Sequence, residues 1–372
     1  MENKKKKILF VAPLYKDRSP SQRFRFEQYL GFLENNNFQV SISSLITPKT
    51  DKVFYSSGNT IIKVLLFVKF IFKRAIDIIK AKKYDIIFVQ REAFFTGTTF
   101  FERKFSSKSN LIFDFDDSIW LPNVSNANKK FEWLKNYDKT KTIISYADAV
   151  IAGNKYLADY ARQFNNNVRI IPTTINTDYH INKQRNKDKD KICIGWTGSP
   201  TTVQHFELAI PVLEKIKDKY HDLVYFKLIG EENYTNPKIN LKGMKWSLET
   251  EIDDLSEIDI GIMPLPDDEW AKGKCGFKGL QYMALEIPTI MSPVGVNTEI
   301  IQDGVNGFLA KTEQEWIEKI SLLIENKDLR LKLGKAGRKT VIEKYSVEAN
   351  KHKYLEVLHA VLSNNKSHTR SK

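Results

Sequence analysis

Short apolar runs alternate with longer amphipathic stretches along this chain, and the alternation runs twice, once on each side of the charged segment NKQRNKDKDK at 182–191. Strands buried on both faces and joined by crossover helices satisfy that pattern, which predicts parallel sheets wrapped by helices. In the first round the predicted strands are 7–12, 38–43, 86–90, 111–114, 149–152 and 168–171, with helices at 22–35, 60–80, 128–146 and 155–164. After the charged segment come strands at 192–196, 224–229, 258–263 and 289–292, helices over 202–220 and 278–285, and a helical run from Glu313. The fold class read from this is α/β, with two Rossmann-like doubly wound parallel-sheet domains facing a cleft. Their expected bounds are 1–182 and 192–345, and a C-terminal helix and polar tail at 346–372 is expected to pack back toward the N-terminal domain. Ligands of such sheets sit beyond the C-terminal ends of the strands, so the loops there are where chemistry is sought.

Hydrophobic residues make up 42% of the 372, enough for packed cores rather than a disordered coil. Two cysteines, Cys193 and Cys275, offer neither a disulfide framework nor a zinc-finger spacing, a usage suited to a reducing compartment. The start, MENKKKKILFVAP, passes from a basic run into a strand-like stretch without the long apolar region of a signal peptide, so a cytoplasmic location is expected. A net charge of +13 draws the chain to polyanions, among them nucleotide phosphates and anionic lipid. The segment 61–83, IIKVLLFVKFIFKRAIDIIKAKK, is too interrupted by charge to span a bilayer. Two readings stand for it: a helix resting in a membrane interface, or a core helix with a solvated lysine face.

Two segments of the second half carry chemistry. In ICIGWTGSPTT, 192–202, a buried strand runs into a turn and then a helix, a place where open amides and the helix dipole favour an anion. There Gly198 permits close approach while Thr197 and Ser199 offer hydroxyls; a plain capped connection is the competing reading. In PLPDDEWAKGKCGFKGLQYMALEIPTIMSP, 264–293, a lysine-bearing loop opens a helix that sets Lys278 and Gln281 one turn apart. A cation and an amide at that spacing suit a diphosphate and its ribose, and Gly295 lies in the turn SPVGVN that follows; a solvated lysine face beside a structural turn is the competing reading.

With these segments in view, the chain resembles the retaining glycosyltransferases of family 4, also called group 1, which have the two-domain GT-B fold. The resemblance rests on GWTGSPTT, on LIGEE with Gly230, on DIGIMPLPDDEW, on GKCGFKGLQYMALEIPTIMSPVGVN and on IIQDGVNGFLA, in that order. It implies a nucleotide-sugar donor, transfer with retention and no obligatory metal or other cofactor. The helix opening QYMA matches the family stretch EAMA, so Gln281 stands where the family places a ribose-holding glutamate, and the upstream glutamate of that pair falls at Gly273. The arginine and lysine that many members carry in the turn after Trp196 are missing, which assigns neutralisation of the leaving diphosphate to Lys278 assisted by Lys274.

In the first half, the resemblance directs SPSQRFR, 19–25, toward the cleft, where Arg23 or Arg25 would meet donor phosphates or an acidic acceptor; a solvated arginine pair is the alternative. Carboxylates crowd the strand ends at DFDD, 114–117, beside QRE, 90–92. Asp116, Asp117 and Glu92 are read as acceptor-side residues that orient or deprotonate a hydroxyl, with metal binding, helix capping or salt bridging as alternatives. The expected reaction moves a sugar from a nucleoside-diphosphate sugar to a glycan or lipid-linked glycan acceptor, in surface-glycan synthesis, at an anionic membrane's inner face and without nucleic acid. A non-catalytic partner subunit and a GT-B epimerase or hydrolase are the competing functions.

Overall fold

The computed structural model describes residues 4–56, 58–122, 136–182 and 190–363. The chain divides into two compact units, Met1–Pro172 with Lys351–Lys372, and Thr173–Asn350. In the first, β1 (Lys6–Ala12), β2 (Phe38–Ser44), β3 (Ile86–Gln90), β4 (Asn110–Phe115), β5 (Ala149–Ala152) and β6 (Val168–Ile170) form one parallel sheet in the order β2-β1-β3-β4-β5-β6. Register sets Ile8 beside Ile86 and Ile87 beside Leu111. Every residue of β3 and β5 is buried, which is why IIFV and AVIA read as unbroken apolar runs. The strand order reverses between β1 and β3, and the crevice at that switch point opens at their C-terminal ends.

The helix predicted over 22–35 is broken into Pro20–Arg23, a single 3₁₀ turn Glu27–Tyr29 and Leu30–Asn35. Arg25 and Phe26 explain the break, because both turn inward and neighbouring helical positions cannot share a face. Phe26 stacks on Phe10 at 4.8 Å between centroids. Arg25 is fully buried, its Nε lies 3.2 Å from each carboxylate oxygen of Asp114, and its Nη1 donates to the carbonyl of Ile171. Arg25 is therefore an internal partner of β4, and the expectation that it reaches a ligand is corrected: its guanidinium is fully enclosed and spent on Asp114 and the Ile171 carbonyl. From the helix Val347–Ser363, Tyr354 donates its hydroxyl to the carbonyl of Arg25 and lays its ring 4.3 Å from that of Tyr29.

In the second unit β7 (Ile192–Thr197), β8 (Val224–Ile229), β11 (Ile260–Met263), β12 (Thr289–Met291) and β13 (Phe308–Leu309) make a parallel sheet in the order β13-β12-β11-β7-β8. Between β8 and β11, β9 (Thr235–Asn236) and β10 (Leu241–Lys242) pair as a small antiparallel ribbon. The switch point lies between β7 and β11, so the turns after Thr197 and Met263 share its crevice. The helix predicted over 202–220 is interrupted into Val203–Glu207 and Ile210–Tyr220, because Pro211 cannot donate within a helix interior and sits in a new first turn instead.

Residues ahead of the charged segment already belong to the second unit. Ile175 N donates to Tyr345 O at 2.8 Å, Arg338 donates to the carbonyls of Thr177 and His180, and Asn182 donates to Leu285 O at 3.1 Å. The division thus falls at Pro172–Thr173 rather than at 182–191. Residues 183–189 of that segment, 128–135 of the predicted helix 128–146 and 364–372 of the predicted tail lie outside the described residues; the described part of that helix is Lys139–Tyr146.

Removing one partner of a buried ion pair leaves the other charged and unsolvated. Arg25→Met is expected to cost roughly 3–5 kcal/mol in denaturant unfolding, whereas Arg25→Met combined with Asp114→Leu recovers most of that loss.

Candidate functional site

At the C-terminal end of β7 the chain packs unusually close. Gly198 lies against the Trp196 indole, so that a Cβ there would fall 2.0 Å from the ring. The turn after β8 presses on the same place: Gly230 has φ +114°, and a Cβ on it would meet the Gly198 carbonyl oxygen at 2.0 Å. Only glycine fits that left-handed backbone and that approach. Across the switch point the helix Phe277–Ala284 is pinned to β7, since Thr197 N donates to the buried Tyr282 hydroxyl at 2.8 Å.

That helix carries Lys278, whose ammonium stands 5.4 Å from the centroid of the Trp196 ring. Lys274 lies 5.1 Å from the Trp270 ring in the preceding loop. Both charges are felt at His205, on the helix that follows the β7 turn. Burial first, then Lys278 and Lys274, push its imidazole down to about 4, with Asp268 opposing. Lys278 thus stands beside the strand that leads into the β7 turn, and the charge of Lys274 reaches the helix that leaves it. Among the described residues, His205 Nδ1 and Trp196 Nε1 are buried with no hydrogen-bond partner, polar capacity set beside two cations.

The amides of the β7 turn are a correction. Thr197 N is taken by Tyr282, Gly198 N by Ile229 O at 2.9 Å, and Ser199 N by Thr202 Oγ1 at 3.0 Å. Ser199 and Thr202 form a capping box for a short 3₁₀ turn, which is the capped connection weighed as the competing reading. The amides at 197–199 therefore do not form an open anion cradle; side chains supply what the turn offers, with the Ser199 and Thr201 hydroxyls exposed and 3.0 Å apart. Gln281 is buried, and its Nε2 lies 3.4 Å from Oε1 of the buried Glu251, which also accepts from Trp246 Nε1 at 3.1 Å. A carboxylate thus stands behind the Gln281 amide. Gly295 sits in the turn after β12, directly against the backbone of Lys272, where a Cβ would be 2.7 Å from the carbonyl oxygen.

The first unit gathers a separate polar cluster at the ends of β3 and β4. Arg91 adopts φ +60°, a backbone that a large side chain rarely takes, and its Nε donates to Asp116 Oδ1 at 2.7 Å while Nη2 lies 3.6 Å from Asp117. Asp116 also accepts from Ser21 at 2.8 Å, and Ser21 in turn accepts from Gln90 at 2.7 Å. Burial acts to raise the Asp116 pKa, but the charges of Arg91 and Arg25 and its hydrogen bonds outweigh it and hold it below the usual carboxylate range. Asp114 goes the other way, raised by burial against the pull of Arg25. The carboxylate with the raised pKa is thus the enclosed one, and Asp116 is a weak proton acceptor that holds Arg91. Glu92, its side chain 34% exposed, pairs with Lys139 at 2.8 Å, whereas Arg23 is buried with its guanidinium 5.0 Å from the Phe24 ring and is not a solvated charge. Among the described residues no group of three or more His, Cys, Asp or Glu side chains is placed to hold a metal ion, and the DFDD carboxylates meet guanidinium groups instead.

Residues 179–340 match the family described as Glycosyl transferases group 1. No curated protein matches the chain. Solved structures resemble it over nearly its whole length at low identity. A glycosyltransferase from Rickettsia africae is 17% identical with a TM-score of 0.67, covering 98% of this chain and 100% of its own. A sucrose-phosphate synthase from Thermosynechococcus elongatus is 13% identical at 0.65, covering 97% and 100%. HepE from Anabaena, in complex with UDP and glucose, is 13% identical at 0.63, covering 95% and 99%. The two parallel sheets are those of the GT-B fold.

Within that fold the expected residues Lys274, Lys278, Thr197, Gly198, Ser199, Gly230 and Gln281 all lie in the second unit, around the ends of β7, β8 and the helix Phe277–Ala284. Sequence reasoning passed over Trp196, His205, Glu251 and Arg91. Trp196 reads as a strand residue and His205 as a helix residue, and no local pattern announces the lysines above them. Arg91 was visible within QRE, but its backbone conformation was not.

His205 is held neutral at pH 7. Its contribution to stability is complete above the ordinary histidine range near 6.5 and is lost as pH falls from there toward about 4. Imidazole NMR should show His205 titrating near 4 in the free protein and higher in Lys278→Ala; the same low value in both would mean the Lys278 charge does not reach it. Tyr282→Phe strands the buried Thr197 amide and is expected to lower the Tm by several degrees, for a loss of roughly 1–3 kcal/mol.

Proposed function

We propose that the protein is a retaining glycosyltransferase of family 4 that moves a hexosyl or related sugar from a nucleoside-diphosphate sugar to an acceptor hydroxyl. The observation that carries the reading is the placement of Lys278 over Trp196, beside the Gly198–Gly230 contact at the switch point of the second sheet. The match of residues 179–340 and the presence of UDP and glucose in the HepE structure support it.

Cleavage of the bond between the anomeric carbon and the diphosphate oxygen places growing negative charge on the diphosphate. Lys278 and Lys274 meet that charge, in a partly buried setting where an ammonium is worth more than in water. With two cations in place of the arginine and lysine of the family turn, no metal is obligatory in this scheme. Ser199 and Thr201 hydroxyls donate to phosphate oxygens, and neutral His205 is able to donate or accept there. Glu251 accepts from the Gln281 amide group, which leaves the Gln281 carbonyl oxygen to accept from a ribose hydroxyl. The acceptor oxygen bonds to the anomeric carbon on the face the diphosphate leaves, and its proton passes to the departing phosphate oxygen. In this scheme Asp116 and Asp117 are positioning residues that hold Arg91 on the acceptor side, with Glu92 and Arg23 nearby.

The acceptor in this reading is a glycan or lipid-linked glycan of the cell surface. It is met in the cytoplasm at the inner face of an anionic membrane, by an enzyme that binds that surface peripherally.

Purified chain incubated with a panel of labelled nucleotide sugars and glycan or lipid-linked acceptors should give a product whose anomeric configuration matches the donor by NMR. Lys278→Ala should lower kcat by about 10²–10³-fold, with a smaller loss for Lys274→Ala. Nucleotide-sugar binding without transfer to any acceptor would contradict the reading and point to a non-catalytic partner subunit.

A further inference from the structure

The helix Thr60–Lys80 buries one face and shows the opposite one to solvent, but the solvent face is apolar. Phe70, Arg74, Asp77 and Ile78 point inward, with Arg74 donating to Asp77 at 2.8 Å and to the carbonyls of Ala12 and Ala93. On the outward side Ile61, Leu65, Val68, Phe72, Ile76 and Ile79 recur at intervals of three and four, which makes one stripe. Their exposures include 78% for Ile61, 63% for Leu65, 66% for Phe72 and 73% for Ile79. The stripe is about 27 Å long at the helical rise per residue. The reading of this segment as a core helix with a solvated lysine face is thereby corrected: the solvated face is hydrophobic, and the lysines stand beside it.

Lys69, Lys73 and Lys80 lie along one border of the stripe, and the helix's one acidic residue, Asp77, is turned inward and paired. Beyond its C-terminus, Lys82 and Lys83 line a surface depression together with Lys4 to Lys7. A contiguous apolar face of this size is rare on a monomer's surface and marks an interaction site. The border decides the occupant. A second copy laid antiparallel on the stripe would bring one lysine border against the other, whereas an anionic lipid surface takes up the apolar side chains and neutralises the lysines together. No helix among the described residues is long and apolar enough to cross a membrane, so this one lies in the surface plane.

We propose that the outward stripe of Thr60–Lys80, with Lys69, Lys73 and Lys80 along its border, is the surface by which the chain docks on an anionic lipid membrane. The proposal gives a structural basis to the peripheral binding named above and rests on the helix alone, so vesicle binding without nucleotide tests it separately from glycosyl transfer. Full-length protein should co-sediment with phosphatidylcholine vesicles containing phosphatidylglycerol and much less with phosphatidylcholine alone. The outward-facing double substitution Leu65→Ser with Phe72→Ser should keep its circular dichroism and lose about tenfold or more in vesicle affinity. Lys69→Glu with Lys73→Glu should also lose about tenfold or more and abolish the preference for the anionic lipid. Wild-type protein that stays in the supernatant, or binding that survives both pairs of substitutions, would overturn the proposal. So would a dimer that Leu65→Ser with Phe72→Ser converts to monomer without any vesicle binding, which would assign the stripe to a second copy.

Discussion

A single buried hydrogen bond ties the two halves of the candidate donor site together. Thr197, the last residue of β7, gives its amide proton to the hydroxyl of Tyr282. That bond fixes the helix Phe277–Ala284 against the end of the strand and thereby sets Lys278 above the Trp196 ring. Tyr282 is enclosed, and burial holds its hydroxyl protonated far above any physiological pH. The phenol cannot become a competing anion beneath the lysines. The same packing demands glycine at Gly261, where a Cβ would lie 2.4 Å from the Tyr282 ring. A strand residue without a side chain, a tyrosine and a lysine four residues before it on the same helix thus form one unit.

The two sheets use charge in opposite ways. In the first unit Arg25 answers Asp114, Arg74 answers Asp77 and Arg91 answers Asp116, so three guanidinium groups meet carboxylates at buried or half-buried positions. Such pairs fix geometry more than they add stability. In the second unit Lys278 and Lys274 sit over aromatic rings, and their fields add at His205 instead of cancelling. A place where positive potential accumulates beside small side chains and hydroxyls is suited to a diphosphate. The cluster around Arg91 is suited to holding one cation in a strained conformation at a strand end.

The sheets were legible in the sequence because parallel strands buried on both faces write themselves as apolar runs. Ile86–Gln90 and Ala149–Ala152 were read to the residue, as was the edge strand Val224–Ile229, whose Tyr225 faces solvent. Thr60–Lys80 was also read to its ends, yet its orientation was not, since a helix apolar on more than one side does not say which side meets the core. The predicted helix at 22–35 failed where Arg25 turns inward to a carboxylate 89 residues away, a pairing no local pattern encodes. The lysines of GKCGFKGLQ were legible as cations, and their partners Trp196 and His205 were not, because they arrive from another strand and another helix. The β7 turn looked like an anion cradle in sequence, but its amide partners, Tyr282, Ile229 and Thr202, were visible only in three dimensions.

Where a nucleoside diphosphate binds is the most direct test of the account. Crystals of the chain soaked with a panel of nucleoside diphosphates, UDP among them, should show the two phosphates between the ammonium groups of Lys278 and Lys274 and the hydroxyls of Ser199 and Thr201. In that complex the amides of Thr197 and Gly198 should remain on Tyr282 and Ile229. A diphosphate bound away from Lys278, or one that pulls the Thr197 amide off Tyr282 to make an amide cradle, would contradict it.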